Sequence, residues 1–383
     1  MTRAANPFVV HRRFLDTYVE ARAAGWTDDA WCDAVVTLDT AVAAVDGTGF
    51  EVTPLVSLVV PTVDRPVWAK VETASVAGSH KARHLFTLAL GLDVAQVDRS
   101  TELAIASCGN AALAAATIAA AAERPLRVFV PTDADPWILG ELDRLGARVE
   151  PCQRIEGTLG DPCMHGLEAA LAGGAIPFTV QGPICPGSID GARTLGLELA
   201  EQLTAVGVTR GDLFVQVGGG ALGTAVGDGL ERSPFPTSLR LHPVQAVAAA
   251  PYSAAWGRVR EFAGPGATAE QLAATIVAHP DAMTPWPGAP ASVAGGILDD
   301  VTYDWATLMA HQVRSGGSPV TVGETTFVDA ATMCADQIDL APDETGAAGL
   351  AGLLTLDADA DRPPSTEPAV VLLTGRRRPT LAG

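Results

Sequence analysis

The sequence predicts an α/β protein made of two open parallel-sheet domains preceded by an N-terminal helical extension. Two observations carry this. Short apolar strands alternate with helical stretches along most of the 383-residue chain, and such alternation folds as parallel strands covered on both faces. The alternation also runs in two blocks, up to Glu150 and again from Ala192. A chain of this length can fill two sizeable cores.

The elements follow in order. Residues 8–46 read as helical: Val9, Phe14, Leu15, Tyr18, Val19 and Ala23 recur at helix spacing, and Gly25 breaks the run. Thr27 can cap a second helix through Trp31, Val35, Leu38 and Val42. This extension packs on the main body or on a partner subunit. Thr53–Leu58 is extended, and Val67–Glu72 alternates like a strand. The next strands are Glu102–Ala106, Arg127–Pro131 and Arg148–Glu150, each joined to the next by a helix. In the second block a helix at Ala192–Leu203 precedes strand Leu213–Val217, then a helix near 221–230 and strand Leu239–Val247. Between about 250 and 300 the Ala, Pro and Gly content gives no assignment. Helix Val301–Arg314, strand Pro319–Val322, helices from Thr325 and over Ala347–Leu354, and strand Ala369–Leu373 complete the chain.

Composition narrows the function. Charged residues are only 18% of the chain, too few for extensive disorder. The net charge of -19 counts against nucleic acid and anionic membrane as partners. Six cysteines lie far apart, with no CxxC and no His cluster at metal-ligand spacing, so no metal is expected. Met1 to Val10 lacks a signal layout, and no uninterrupted apolar run reaches about 18 residues. The reading is a reducing, cytoplasmic enzyme.

Four stretches carry chemistry. In Ala77-Gly78-Ser79-His80-Lys81 a lysine opens a helix. There it faces the positive end of the helix dipole, which disfavours its ammonium form and suits an amine that must attack a carbonyl. Ser107-Cys108-Gly109-Asn110 ends a strand and opens a helix, so its backbone N–H groups are open to a carboxylate. Asn110 can offer an amide N–H to a phenolic oxygen. Gly218-Gly219-Gly220-Ala221-Leu222 follows a strand as an anion nest suited to a phosphate. Thr374 ends the last strand with a hydroxyl that can bond a ring nitrogen without protonating it. Gly218, Gly220 and Gly223 also satisfy GxGxxG, but a nicotinamide site wants an acid at the end of the next strand. Strand Leu239–Val247 carries none, so a monophosphate fits better than a dinucleotide.

A lysine for an aldehyde, a nest for one phosphate, an amide for a phenol oxygen and a hydroxyl for a pyridine nitrogen together match pyridoxal phosphate. The chain resembles the fold-type II pyridoxal phosphate enzymes: the tryptophan synthase β subunit, threonine synthase, serine/threonine dehydratase and cysteine synthase family. The resemblance runs in order from Thr53 to Gly375. Its pieces are Thr53-Pro54-Leu55, Lys70-x-Glu72, Gly78-Ser79-His80-Lys81-x-Arg83, Ser107-x-Gly109-Asn110-Ala111, Gly218–Leu222, Glu344-x-Gly346-Ala347-Ala348 and Thr374-Gly375.

The resemblance implies that Lys81 holds the cofactor as a Schiff base and acts as acid and base at the substrate Cα. It implies that Asn110 binds the 3′ oxygen, that Gly218, Gly219, Gly220, Ala221 and Leu222 hold the phosphate, and that Thr374 faces the ring nitrogen. Ser79 and the loop of Ser107, Cys108, Gly109 and Asn110 would bind the amino-acid substrate, the loop gripping its carboxylate. The implied domains are the extension at 1–50, a large cofactor-binding domain at 51–75 and 191–383, and a smaller mobile domain at 76–190, in a homodimer. No regulatory domain is expected after Thr374. Gly191–Leu203 and Glu344–Ala348 look most like threonine synthases and dehydratases, whereas His80 resembles the tryptophan synthase β subunit. Two further departures are Gly295, where relatives often carry Asp, and Cys108, which replaces a small residue or Ser. The expected activity is β-elimination or β-replacement on an amino acid, most like a hydroxy-amino-acid dehydratase or ammonia-lyase. The rivals are a threonine synthase-like or tryptophan synthase β-like replacement enzyme and a non-catalytic cofactor-binding protein.

Overall fold

The computed structural model describes residues 5–153, 161–288 and 290–379. The first four residues of the stretch read for a targeting signal lie outside these. The chain divides into two compact units. The first takes the described residues of Met1–Val52 and Ser75–Thr194; the second takes Thr53–Ala74 and Leu195–Arg378.

Ten strands are described: β1 (Leu55–Leu58), β2 (Val67–Val71), β3 (Leu103–Ala106), β4 (Leu126–Pro131), β5 (Arg148–Cys152), β6 (Ile176–Pro177), β7 (Arg210–Gln216), β8 (Ser238–Ala246), β9 (Val320–Val322) and β10 (Ala369–Leu373). The first unit holds a four-stranded sheet in the order β5-β4-β3-β6, parallel throughout. The second holds a six-stranded sheet in the order β1-β2-β10-β7-β8-β9. It is parallel except for β1, which pairs antiparallel with β2 at the edge.

These sheets read as continuous apolar runs because both faces are covered. In β10 every residue is buried. Val370 and Leu372 join one core with Leu213, Val215 and Leu195, while Ala369, Val371 and Leu373 join another with Phe214, Val244 and Leu350. In the first unit Leu103 and Ile105 of β3 share a core with Trp31, Val35 and Phe86, and Ala104 lies on the other face with Phe129 and Leu167.

The N-terminal helices are part of that first core. Thr27 caps the Asp28–Asp46 helix by accepting the Ala30 N–H at 3.0 Å. Phe8 stacks on Phe86 with ring centroids 4.5 Å apart, so the extension packs directly on the helix that Lys81 opens. Asp190 ties down the Asp16–Ala23 helix by accepting from Asp16 N at 2.7 Å, Thr17 N at 3.0 Å and Thr17 Oγ1 at 2.6 Å.

Several elements were not assigned from the sequence: helices Pro162–Ala172, Pro251–Ala263 and Ala269–Ala278, and the short β6. The third had a readable start. Thr268 and Gln271 form a capping box, a pattern visible as Thr-x-x-Gln. No described helix is long and apolar enough to cross a membrane.

Candidate active site

The residues singled out above fall into two sets, one in each unit. In the first unit Lys81 is the first residue of the helix Lys81–Val94. The approach is wound tightly: Ala77 and Gly78 both have left-handed φ, +55° and +67°. For Ala77 that conformation is disfavoured; its N–H is held by Asp46 Oδ1 at 3.1 Å. The Ser79 hydroxyl accepts the Lys81 N–H at 3.4 Å.

Behind this turn, helix Ser188–Ala205 pins the lysine helix. Gly191 lies so close that a Cβ there would stand 2.0 Å from the Arg83 carbonyl oxygen. Buried Arg83 donates to Thr194 Oγ1 at 2.9 Å. His84 Nδ1 sits 2.8 Å from the Ser188 carbonyl. That carbonyl can only accept, so Nδ1 carries the proton. The Gly191-Ala192-Arg193-Thr194 motif thus positions the lysine helix.

Burial, aided by the charge of Lys81, pushes the His84 imidazole down from 6.5 to about 3. The folded ring is neutral, while the unfolded chain protonates below about pH 6.5. Folding therefore excludes a proton between those values, and stability is expected to fall with pH by about 1.4 kcal/mol per unit in that window. Denaturant titrations at stepped pH check this; in His84→Phe the slope is expected to flatten.

The second stretch is placed as the sequence suggests. Ser107, Cys108 and Gly109 link β3 to the helix Asn110–Ala121, which Asn110 opens. The first bond of that helix runs from Leu113 N to Gly109 O at 3.2 Å. Ala111 and Ala112 N–H groups therefore have no intrahelical acceptor, as at any helix start. The Ser107 hydroxyl accepts the Gly109 N–H at 3.4 Å, and Cys108 is exposed.

The second unit brings the glycine turn and Thr374 to the carboxyl end of neighbouring parallel strands, β7 and β10. Gly220 has φ +97° and is the N-cap of helix Ala221–Arg232. The first bond of that helix is Thr224 N to Gly220 O at 3.1 Å, so the N–H groups of Ala221, Leu222 and Gly223 have no intrahelical acceptor. N–H groups with no intrahelical acceptor, after a run of three glycines, suit a phosphate, and the Asp299 carboxylate lies against the same turn, its Oδ2 2.5 Å from where a Gly218 Cβ would stand. Segment 297–304 closes the turn from the other side. A Cβ on Gly220 would come within 3.0 Å of Thr302 Cγ2, and one on Gly219 within 3.2 Å of Tyr303 Cδ2. Gly220→Ala is expected to cost about 1–2 kcal/mol from its left-handed φ and to weaken cofactor binding. Thermal unfolding and a cofactor titration measure the two effects.

Thr374 is buried, and its N–H donates to Gly346 O at 3.1 Å. Its side chain reveals a residue the sequence reading passed over. Gln216, the last residue of β7, donates from Nε2 to Thr374 Oγ1 at 2.7 Å. The signal was present: a glutamine in an otherwise apolar strand, Leu213-Phe214-Val215-Gln216-Val217, must find partners once buried. Glu344–Ala348 is also placed here, since the Gly346 carbonyl accepts from Gln216 Nε2 at 3.0 Å as well as from the Thr374 N–H.

Comparison with solved structures identifies this fold. The chain superposes on the T.th. threonine deaminase with a TM-score of 0.68 at 22% identity, covering 90% of this chain and 99% of that one. Maize serine racemase gives 0.64 at 19%, covering 89% and 93%. The diaminopropionate ammonia lyase of Escherichia coli gives 0.64 at 15%, covering 89% and 88%. No curated protein sequence matches. The family model described as "Pyridoxal-phosphate dependent enzyme" matches residues 48–375. That span holds the lysine turn, the Asn110 loop, the glycine nest and Thr374 together, and the chain belongs to the pyridoxal-phosphate dependent enzyme family.

Proposed function

We propose that the protein is a lyase acting on a small amino acid with a β leaving group, most simply a hydroxyl, and that it releases a keto acid and ammonia. Lys81 would hold the cofactor through its amine, Asn110 its phenolic oxygen, Gly218–Leu222 its phosphate and Thr374 its ring nitrogen. When bound, pyridoxal phosphate supplies an electron-withdrawing ring conjugated to the substrate amine. The chain's own groups do the rest. The Lys81 amine takes the proton from the substrate Cα, a step worth about a hundredfold or more. Backbone N–H groups of the Ser107–Asn110 loop hold the substrate carboxylate, with Ser79 beside the reacting lysine.

One observation favours loss of the β group over transamination. The residue at the end of β10 is a neutral hydroxyl, Thr374, not a carboxylate. A carboxylate would hold a protonated ring, which withdraws electrons most strongly and prolongs the life of charge at Cα. A hydroxyl leaves the ring neutral and favours prompt loss of the β group. Solved structures of the same fold carry the names threonine deaminase, L-serine ammonia-lyase and diaminopropionate ammonia lyase, which supports the same class.

The test is turnover of L-serine, L-threonine and 2,3-diaminopropionate, read as keto acid and ammonia. Stoichiometric release of both is the expected result. A cofactor-loaded protein that yields neither from any of the three, but consumes serine or its esters only when a thiol or indole is added, would establish a replacement enzyme instead.

A further inference from the structure

The glycine turn is crossed by a segment with three acids and no base. Ile297-Leu298-Asp299-Asp300-Val301-Thr302-Tyr303-Asp304 lies against it, and the turn itself, Gly218 to Thr224, carries no basic residue either. Asp299 comes closest. Its Oδ2 is 2.5 Å from where a Gly218 Cβ would stand and 3.5 Å from where a Gly219 Cβ would stand. Asp304 meets the turn one residue further on, its Cβ 3.3 Å from where a Gly220 Cβ would stand. The segment is fixed in this place. The Asp304 N–H donates to Gly219 O at 2.8 Å. Buried Gln245 donates from Nε2 both to Val217 O, just before the turn, and to Thr302 Oγ1, each at 3.3 Å.

The bare Cα atoms of Gly218 and Gly219 thus admit a carboxylate to a turn that suits an anion. A phosphate held by the same turn brings its own negative charge beside that of Asp299. Like charges in contact with one turn repel, and the half-buried position of Asp299 screens them less than open water does. Neither the turn nor the segment supplies a lysine or arginine to offset that repulsion. We propose that Asp299 is a specificity-determining residue that opposes the cofactor's phosphate, so that pyridoxal phosphate is held as an exchangeable ligand and loading follows its free concentration. This rests on the reading that places the phosphate at Gly218–Leu222. The effect acts through the phosphate only. Pyridoxal, with the same aldehyde and ring but no phosphate, is bound without regard to the charge at Asp299.

The test compares titrations with pyridoxal phosphate and with pyridoxal, followed by the visible absorbance of the bound ligand, at about pH 8, where the phosphate is fully ionised. Asp299→Asn keeps the shape of the side chain and removes its charge. It is expected to tighten the Kd for pyridoxal phosphate about tenfold or more, and to leave that for pyridoxal within about twofold. Inorganic phosphate is expected to compete with pyridoxal phosphate more strongly in the variant than in wild-type protein. If both proteins prefer pyridoxal phosphate over pyridoxal by the same factor, the role of Asp299 is overturned while the phosphate keeps its place. If Asp299→Asn weakens the hold on pyridoxal phosphate, Asp299 shapes the turn instead of opposing its ligand, and the proposal is again overturned. If neither protein distinguishes the two ligands, the turn does not hold a phosphate and the underlying reading fails. Wild-type protein decides the matter alone should the variant not fold. It is expected to lose its cofactor on dialysis and to regain it on addition, and full retention overturns the proposal.

Discussion

Lys81→Ala protein is expected to purify without covalently held cofactor and to lose about a thousandfold or more of its turnover. The size follows from the double use of one amine, as the group that anchors the cofactor and as the base at Cα. Lys81 is only partly buried, at the first position of its helix, and alanine is well tolerated there. The burial that matters belongs to Ala82, Arg83 and His84 behind it, so stability is expected to change by less than about 1 kcal/mol. Lys81→Arg keeps the charge and is expected to fail equally, because a guanidinium does not deprotonate. Borohydride reduction of wild-type protein followed by peptide mapping locates the anchor directly. A label on any other lysine would end this assignment.

The second large effect concerns stability. Glu198→Ala is expected to cost about 3–5 kcal/mol, a large share of the roughly 5–15 kcal/mol that holds a domain together. Lys70 and Glu198 are both fully buried. Lys70 Nζ donates to Glu198 Oε2 at 2.5 Å, to the Thr53 carbonyl at 2.7 Å and to Gln202 Oε1 at 3.0 Å. An ammonium has three protons, and each has its acceptor here. Glu198 Oε2 also accepts the Thr53 N–H at 3.2 Å, and the Thr53 hydroxyl bonds to Glu72. Removing Glu198 takes from the buried Lys70 ammonium the carboxylate that it bonds most closely. Replacing both partners by apolar residues, as in Lys70→Met with Glu198→Leu, is expected to recover much of the loss. Urea unfolding of the single and double variants measures both. A Glu198→Ala cost below about 1 kcal/mol would contradict this account of the pair.

This cluster also shows what the sequence could and could not disclose. Thr53-Pro54, Lys70-x-Glu72 and the Gly191–Leu203 helix were each readable as family pieces. That they meet was not, because Lys70 and Glu198 are 128 residues apart and no local pattern links them. The lysine turn, the Asn110 loop and the glycine nest were legible for the opposite reason. Each is a short strand-to-helix turn whose chemistry follows from its own backbone. Gln216 lay between these cases. Its type was conspicuous in a buried strand, but its partners come from β10 and the Thr345–Gly346 turn. The helices over 251–278 were hidden by a composition rich in Ala, Pro and Gly, where hydrophobic periodicity is weak.

The position of β10 has a consequence for how the chain is made. The strand is translated after every other strand described, yet it sits inside the sheet, between β2 and β7. Its partner Val67 precedes Ala369 by about 300 residues. While the ribosome is still adding the intervening segment, β2 and β7 each present an open hydrogen-bonding edge, a template for unwanted pairing between nascent chains. The six-stranded sheet can close only once residues 369–373 have emerged. Its assembly is therefore a late, long-range event of the kind that proceeds slowly and benefits from chaperones.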